Sequence, residues 1–259
     1  MDGVSEIISG DIIVLKIQNL SDELKEKIKA ELVTICYGEY GLASSNIYHT
    51  FNATIKELVE ERLPTCRNGQ VGAVGELLLN VLIRVFTDLR VISPFFNLEE
   101  RNVKKGFDII AIDSDNMLWI IESKAGEPNR RYNTATKKVC ERINFARTDL
   151  DKRLNQYNSQ LWCNAINSVK CALVNNDEQA TILNLLNVTS ESCLSNDKNV
   201  VLGGTVFCVL DSIIDEVELN DLYNSIIKAS TFLRVKLIVI QKRTYQAIID
   251  YLELLLEEV

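Results

Sequence analysis

Two short apolar runs separated by a three-residue gap constrain this chain more than any other feature. GFDIIAID (residues 106–113) and MLWIIESK (residues 117–124) are rich in β-branched and aromatic residues, and Asp113-Ser114-Asp115-Asn116 is made of turn formers. They read as two strands of a hairpin. Side chains alternate across a strand, so Glu122 and Lys124 share one face. If Asp113 pairs with Met117 across the turn, Asp108 stands directly opposite Glu122, and a slip of one residue would part them. Facing carboxylates on neighbouring strands repel, with Cβ atoms about 4.5–5.5 Å apart. That spacing suits a divalent cation clamped between oxygens. Lys124 would project beside it, where its charge can stabilise a pentacovalent phosphate and a pKa lowered by burial could help deprotonate water. The bland alternative is that Asp108 opens a strand at its solvent end and Glu122–Lys124 is an ordinary polar strand terminus.

The rest of the chain alternates between helical and strand-like segments. DIIVLKIQN (residues 11–19) reads as a strand, and SDELKEKIKAELVTIC as a helix with Ser21 as N-cap and Asp22 and Glu23 in its first turn. A second helix is predicted over residues 53–62, stopping before Pro64. The helix expected over 70–88 is apolar nearly all round and should be buried. Strands follow at 90–93 and at the two hairpin segments, then one long polar, basic helix over 134–167. Residues 180–199 give no clear pattern. GTVFCVL (204–210), a helix near 213–230, VKLIVIQ (235–241) and a last helix over 244–258 complete the series. The alternation predicts an α/β fold, a mixed central sheet flanked by helices. Residues 1–65 read as a small accessory α/β segment and residues 66–259 as the main domain, with strand–helix additions at its end.

Composition narrows the chemistry. His49 is the single histidine, so histidine-based metal centres and two-histidine hydrolases are excluded, and neither G-x-S-x-G nor G-x-x-x-x-G-K-[ST] occurs. Catalysis would have to run on carboxylates, lysines and a metal. No unbroken apolar run reaches the roughly 18 residues of a membrane span, no secretion signal is evident, and none of the seven cysteines falls in a CxxC pair. A cytoplasmic protein with reduced, mostly buried thiols is expected. The net charge of −8 is unevenly spread: between Lys124 and Arg147 seven basic residues face two acidic ones, which makes that stretch +5 and the remainder −13. A basic arm on an acidic body is compatible with gripping a phosphate backbone, and it also matches an ordinary charged surface helix.

G-F-D, thirteen intervening residues and E-S-K together resemble the signature of the PD-(D/E)xK nuclease superfamily, with Phe107 in place of the usual proline. The resemblance implies a restriction-endonuclease-like core over the helix, three strands, helix and strand from Gln70 to about Leu210. It further implies a DNA-cleaving enzyme using Mg²⁺ or Mn²⁺, with Asp108, Glu122 and Lys124 catalytic. Members often add an acid from the preceding helix. Glu76 in VGAVGELLL matches that position as a further catalytic or metal ligand, beside Asp108 and Glu122. Alternatively, Glu76, Asn80 and Arg84 form a solvated stripe at i, i+4 spacing. At finer grain, GELLL, KGFD and LWIIESK are similar to the HamA family, nuclease subunits of the bacterial Hachiman antiphage system that work beside a helicase, HamB. That resemblance implies an antiphage effector with a helicase partner. In similar nucleases the helix after the catalytic strand flanks the substrate groove, which makes Arg130, Arg131, Lys137, Lys138 and Arg142 the DNA-contact candidates. Two other outcomes stay open: a catalytically silent nuclease-like binding subunit, and a restriction-type enzyme acting alone.

Overall fold

A computed structural model describes residues 1–96, 106–156, 159–174 and 176–259. Its centre is a seven-stranded mixed sheet. In chain order the strands are β1 (Val4–Ser9), β2 (Ile12–Ile17), β3 (Arg90–Val91), β4 (Ile109–Ile112), β5 (Leu118–Gly126), β6 (Asn199–Phe207) and β7 (Arg234–Lys242). They lie side by side as β1-β2-β7-β6-β5-β4-β3. The four central strands β2, β7, β6 and β5 run parallel, and β1, β4 and β3 are antiparallel additions at the two edges. Parallel strands are buried on both faces, and β6 is buried at every position.

Each face has its own core. One is covered by α1 (Asp22–Tyr37), α4 (Arg67–Phe86) and α9 (Gln246–Glu257), whose apolar residues pack with Ile109, Ile121, Val201 and Ile238. The other is covered by α5 (Ala135–Leu154), α6 (Ser159–Ala172), α7 (Asn176–Glu191) and α8 (Glu216–Lys228), packed on Ile110, Ile120, Val200 and Leu237. A short α2 (Glu39–Ala43) follows α1, and α3 (Phe51–Lys56) continues into a wider π turn, Glu57–Arg62. Ser21 caps α1 as predicted, its hydroxyl accepting from Leu24 N–H at 3.2 Å. α4 is long and apolar enough to cross a bilayer, but here it is a core helix under the sheet.

Several expectations change. The accessory segment, residues 1–65, is built into the same sheet: β2 pairs with β7, and α1 shares the core of α4. The single helix over 134–167 is two, α5 and α6, while Tyr157 and Asn158 of that stretch lie outside the described residues. α7 takes up most of the region that gave no pattern, and Asn175 just before it also lies outside the described residues. β6 starts five residues before the predicted strand because Gly203 and Gly204 are not a break. They are the points where helices press closest to the sheet, Leu79 of α4 on one side and Val139 and Ile143 of α5 on the other. The cysteines are all free, but only Cys36 and Cys208 are buried; Cys66, Cys163 and Cys171 are exposed.

Candidate active site

Asp113 fixes the geometry from which the site is built. Its backbone N–H donates to the Met117 carbonyl at 3.1 Å, and Asn116, with φ 58°, closes the three-residue loop in the left-handed conformation that asparagine tolerates. One carboxylate oxygen of Asp113 accepts from the N–H groups of Asp115 and Met117, at 3.0 and 2.8 Å, and the other from Trp119 Nε1 at 2.8 Å. These bonds outweigh the burial penalty and hold the Asp113 carboxyl below its ordinary range. The strand pairs are then Ile109 with Ile121 and Ile110 with Ile120, which is the expected register. Continued one step beyond the last pair, that register sets Asp108 opposite Glu122, whose carboxyl feels its charge. The Asp108 carboxylate accepts the Ser123 N–H at 2.9 Å, which closes the ladder just beyond the last strand pair.

Glu122 and Lys124 point to the α5 side of the sheet, with Ile120. Four residues advance about 6 Å along a helix and two advance about 6.6 Å along a strand, so one row of a helix can follow one face of a strand. Here that row is Lys138, Arg142, Phe145, Asp149 and Arg153 of α5, antiparallel to Glu122, Lys124 and Gly126. A Cβ on Gly126 would lie 2.6 Å from Lys138 Cε and 3.2 Å from Arg142 Cδ. Lys124 Nζ is 3.4 Å from Asp149 and 5.8 Å from the centre of the Phe145 ring. Arg153 donates to the Gly106 carbonyl at 3.1 Å and ion-pairs with Glu122, while Lys124 donates to the other Glu122 oxygen at 2.5 Å.

Three carboxylates (Asp108, Glu122, Asp149) therefore face two cations (Lys124, Arg153). Glu122 is only 1% exposed, and burial first, then the Asp108 charge, pushes its carboxyl up to about 8; Arg153 and Lys124 pull the other way without prevailing. Burial lowers the Lys124 ammonium, but the charges of Glu122 and Asp108 outweigh it and hold the group above its usual value. Glu122 is the strained member of the pair, because it is buried while Lys124 keeps 21% of its side chain in solvent. The expectation that Lys124 is lowered, and so serves as a base, is corrected: it is a fixed cation.

Other expected residues lie apart from this cluster. Glu76 is half-buried on α4, which approaches the same end of β5 from the opposite face; a Cβ on the preceding Gly75 would be 2.4 Å from Ala125 Cβ. Among the described residues no three acidic, histidine or cysteine side chains gather where they could hold a metal, so Asp108, Glu122 and Glu76 do not form the expected three-carboxylate set. The solvated stripe fails too: Asn80 is fully buried, and Arg84 bonds to it at 3.1 Å. Of the DNA-contact candidates, Arg130, Arg131 and Lys137 are exposed. Lys138 is buried and pairs with Glu141 at 3.3 Å, and half-buried Arg142 also pairs with Glu141, so neither presents a free charge. His49 contacts Ser44 Oγ at 2.8 Å and stacks on Tyr37.

The sequence model of the HamA family matches residues 8–253, which takes in the hairpin, α5 and every residue of the cluster. The chain belongs to the HamA family. Its membership ties this HamA chain to Hachiman-type antiphage defence. Compared with curated proteins, the chain has no match.

Proposed function

We propose that this HamA-family chain is a metal-dependent DNA nuclease, the effector of an antiphage defence system, working beside a helicase partner. One observation carries the reading: Asp108, just before β4, accepts the Ser123 N–H of β5 at 2.9 Å and its charge bears on the buried Glu122 carboxyl, with the Lys124 ammonium fixed alongside. The donor chemistry fits a hard divalent cation such as Mg²⁺ or Mn²⁺, because two oxygen-donor groups, Asp108 and Glu122, lie close enough for the charge of one to raise the pKa of the other. Asp108 and Glu122 would hold it, and when bound it would supply Lewis-acid stabilisation and an activated water. Lys124, its ammonium held above the usual value, would neutralise charge building on a phosphate oxygen. Asp149 keeps the Lys124 ammonium at the mouth of the site, and Arg153 orients the Glu122 carboxylate from behind. Exposed Arg130 and Arg131, in the loop before α5, and Lys137 in its first turn would meet the flanking phosphates.

The test is cleavage of DNA by the purified full chain with Mg²⁺. Activity should vanish with EDTA and in Glu122→Gln and Lys124→Ala variants that still fold. Cleavage at the wild-type rate in both variants would refute the assignment. One observation favours a second reading, a catalytically silent binding subunit: each oxygen of Glu122 already has a cation of its own. On that reading the protein would show no cleavage and no divalent binding that Asp108→Asn removes.

A further inference from the structure

The two edges of the sheet are unequally protected. β3 at one end has two residues, too few to recruit a further strand, whereas β1 at the other has six. Edge strands are commonly blunted by lysine, proline or a bulge. β1 has none of these: its sequence is VSEIIS, its one charge is Glu6, and it pairs with β2 residue for residue from Val4–Ile17 to Ser9–Ile12. The Gln18 N–H bonds to the Gly3 carbonyl at 2.8 Å, which sets the phase of the ladder. Its bonds alternate, so Ser5, Ile7 and Ser9 bond to β2 while Glu6 and Ile8 turn N–H and C=O away from the sheet. Ile7 and Ile8 are 45% and 60% exposed. Ile7 lines a narrow groove with Ile12, Val14, Glu216 and Leu219, between the hairpin and the start of α8. The charge around this edge is one-sided. Residues 1–17 hold three acids and one base, Lys16, and residues 209–221, which lead into α8, hold five acids and no base. All five of the latter are exposed.

We infer that β1 is the docking edge for a basic, extended segment of a partner protein, which joins the sheet as a further strand. Charge decides among the occupants. A second copy paired edge to edge would set this acidic surface against itself, and nucleic acid or an anionic membrane would be repelled. A basic polypeptide gains on both counts: the outward backbone groups of Glu6 and Ile8 supply a ladder, and the surrounding carboxylates attract it. Its side chains then follow from strand alternation. Facing residues interact in pairs, so the incoming strand carries lysine or arginine opposite Glu6 and aliphatic residues opposite Ile7 and Ile8. The residue opposite Ile7 lies over the groove beside α8. The inference is independent of the nuclease reading, because three strands (β2, β7 and β6) separate β1 from the β5 strand that carries Glu122 and Lys124.

The experiment follows the anisotropy of a short fluorescein-labelled peptide, paired central valines flanked by lysine and threonine, as the full chain is added. A peptide with glutamate in place of each lysine is the control. The lysine peptide should bind, more weakly as salt is raised, and should slow hydrogen exchange at the Glu6 and Ile8 amides. Ile8→Pro removes an outward donor that β2 does not use, so the hairpin stays intact. It should weaken binding by about 2- to 12-fold, the worth of one hydrogen bond. Glu6→Lys should weaken the lysine peptide and favour the glutamate peptide, which tests the pairing opposite Glu6 even if Ile8→Pro fails to fold. No binding of the lysine peptide, equal binding of both peptides by wild type, or binding that leaves the two amides unprotected would overturn the proposal. So would a dimer of the chain alone that Ile8→Pro dissociates.

Discussion

Replacing Glu122 by glutamine should make the metal-free protein more stable at neutral pH, against the usual result for a buried charge cluster. Burial, and then the Asp108 charge, hold the Glu122 carboxyl well above its ordinary 4.5 in the folded state. Folding therefore favours its protonated form. Stability fully present below pH 4.5 is lost as the pH rises, and the loss is complete only above pH 8. Each pH unit by which the folded carboxyl is raised is worth about 1.4 kcal/mol, so ionising this one group costs a few kcal/mol at neutral pH. The hydrogen bonds from Lys124 and Arg153 are already contained in that pKa and are not to be subtracted again. Glutamine keeps the shape, offers one oxygen to either cation and never ionises. Urea denaturation in EDTA should therefore show variant and wild type equal near pH 4.5, with the gap opening in the variant's favour towards pH 8. A variant less stable at every pH by the roughly 3–5 kcal/mol of a broken buried ion pair would refute the reasoning. It would also favour the structural scaffold.

Asp113→Ala should cost about 2–3 kcal/mol by urea denaturation, because Trp119 Nε1 and two backbone donors lose their acceptor. In wild type the Asp113 contribution should be present at neutral pH and fade as the pH falls below 3.8, its carboxyl being held low in the folded state. Gly75→Ala should destabilise by about 1–3 kcal/mol, since the new methyl would overlap Ala125, and the double variant Gly75→Ala/Ala125→Gly should regain most of the loss. Arg153→Met removes one of the two cations on Glu122. It should melt lower than wild type in EDTA and show the larger rise on adding Mg²⁺, because the cation then relieves more unbalanced charge. Equal Mg²⁺ shifts in both proteins would argue against that linkage.

The hairpin was legible because its information is local. Asp113, Asn116 and the strict alternation of strand faces determine the register with no knowledge of the rest of the fold, and Asp108 opposite Glu122 follows from them. Arg153 and Asp149 were not, though they complete the cluster. They lie some thirty residues on, and their relevance depends on which row of α5 the packing turns towards β5. The row at i, i+3 and i+4 spacing from Arg142 through Phe145 and Asp149 to Arg153 is visible in the sequence, and its advance per step is close to that of alternate residues of a strand, but nothing local says that the two are laid together. Gly203 and Gly204 misled for a related reason: a glycine pair reads as a break until the helices that need the room are known. Lys138 and Arg142 look like free charges in a basic run, and only the fold shows that Glu141 takes both. β1, exposed along nearly its whole length, carries no burial pattern to find.

The central claim is that Asp108 and Glu122 share one divalent cation. A crystal of the full chain grown with Mn²⁺ tests it most directly, through anomalous scattering. The account predicts a single strong peak within coordination distance of both carboxylates, with Arg153 drawn back from Glu122, and no such peak in Asp108→Asn. Saturating Mn²⁺ with no peak between the two strands, and both cations still seated on Glu122, would contradict it.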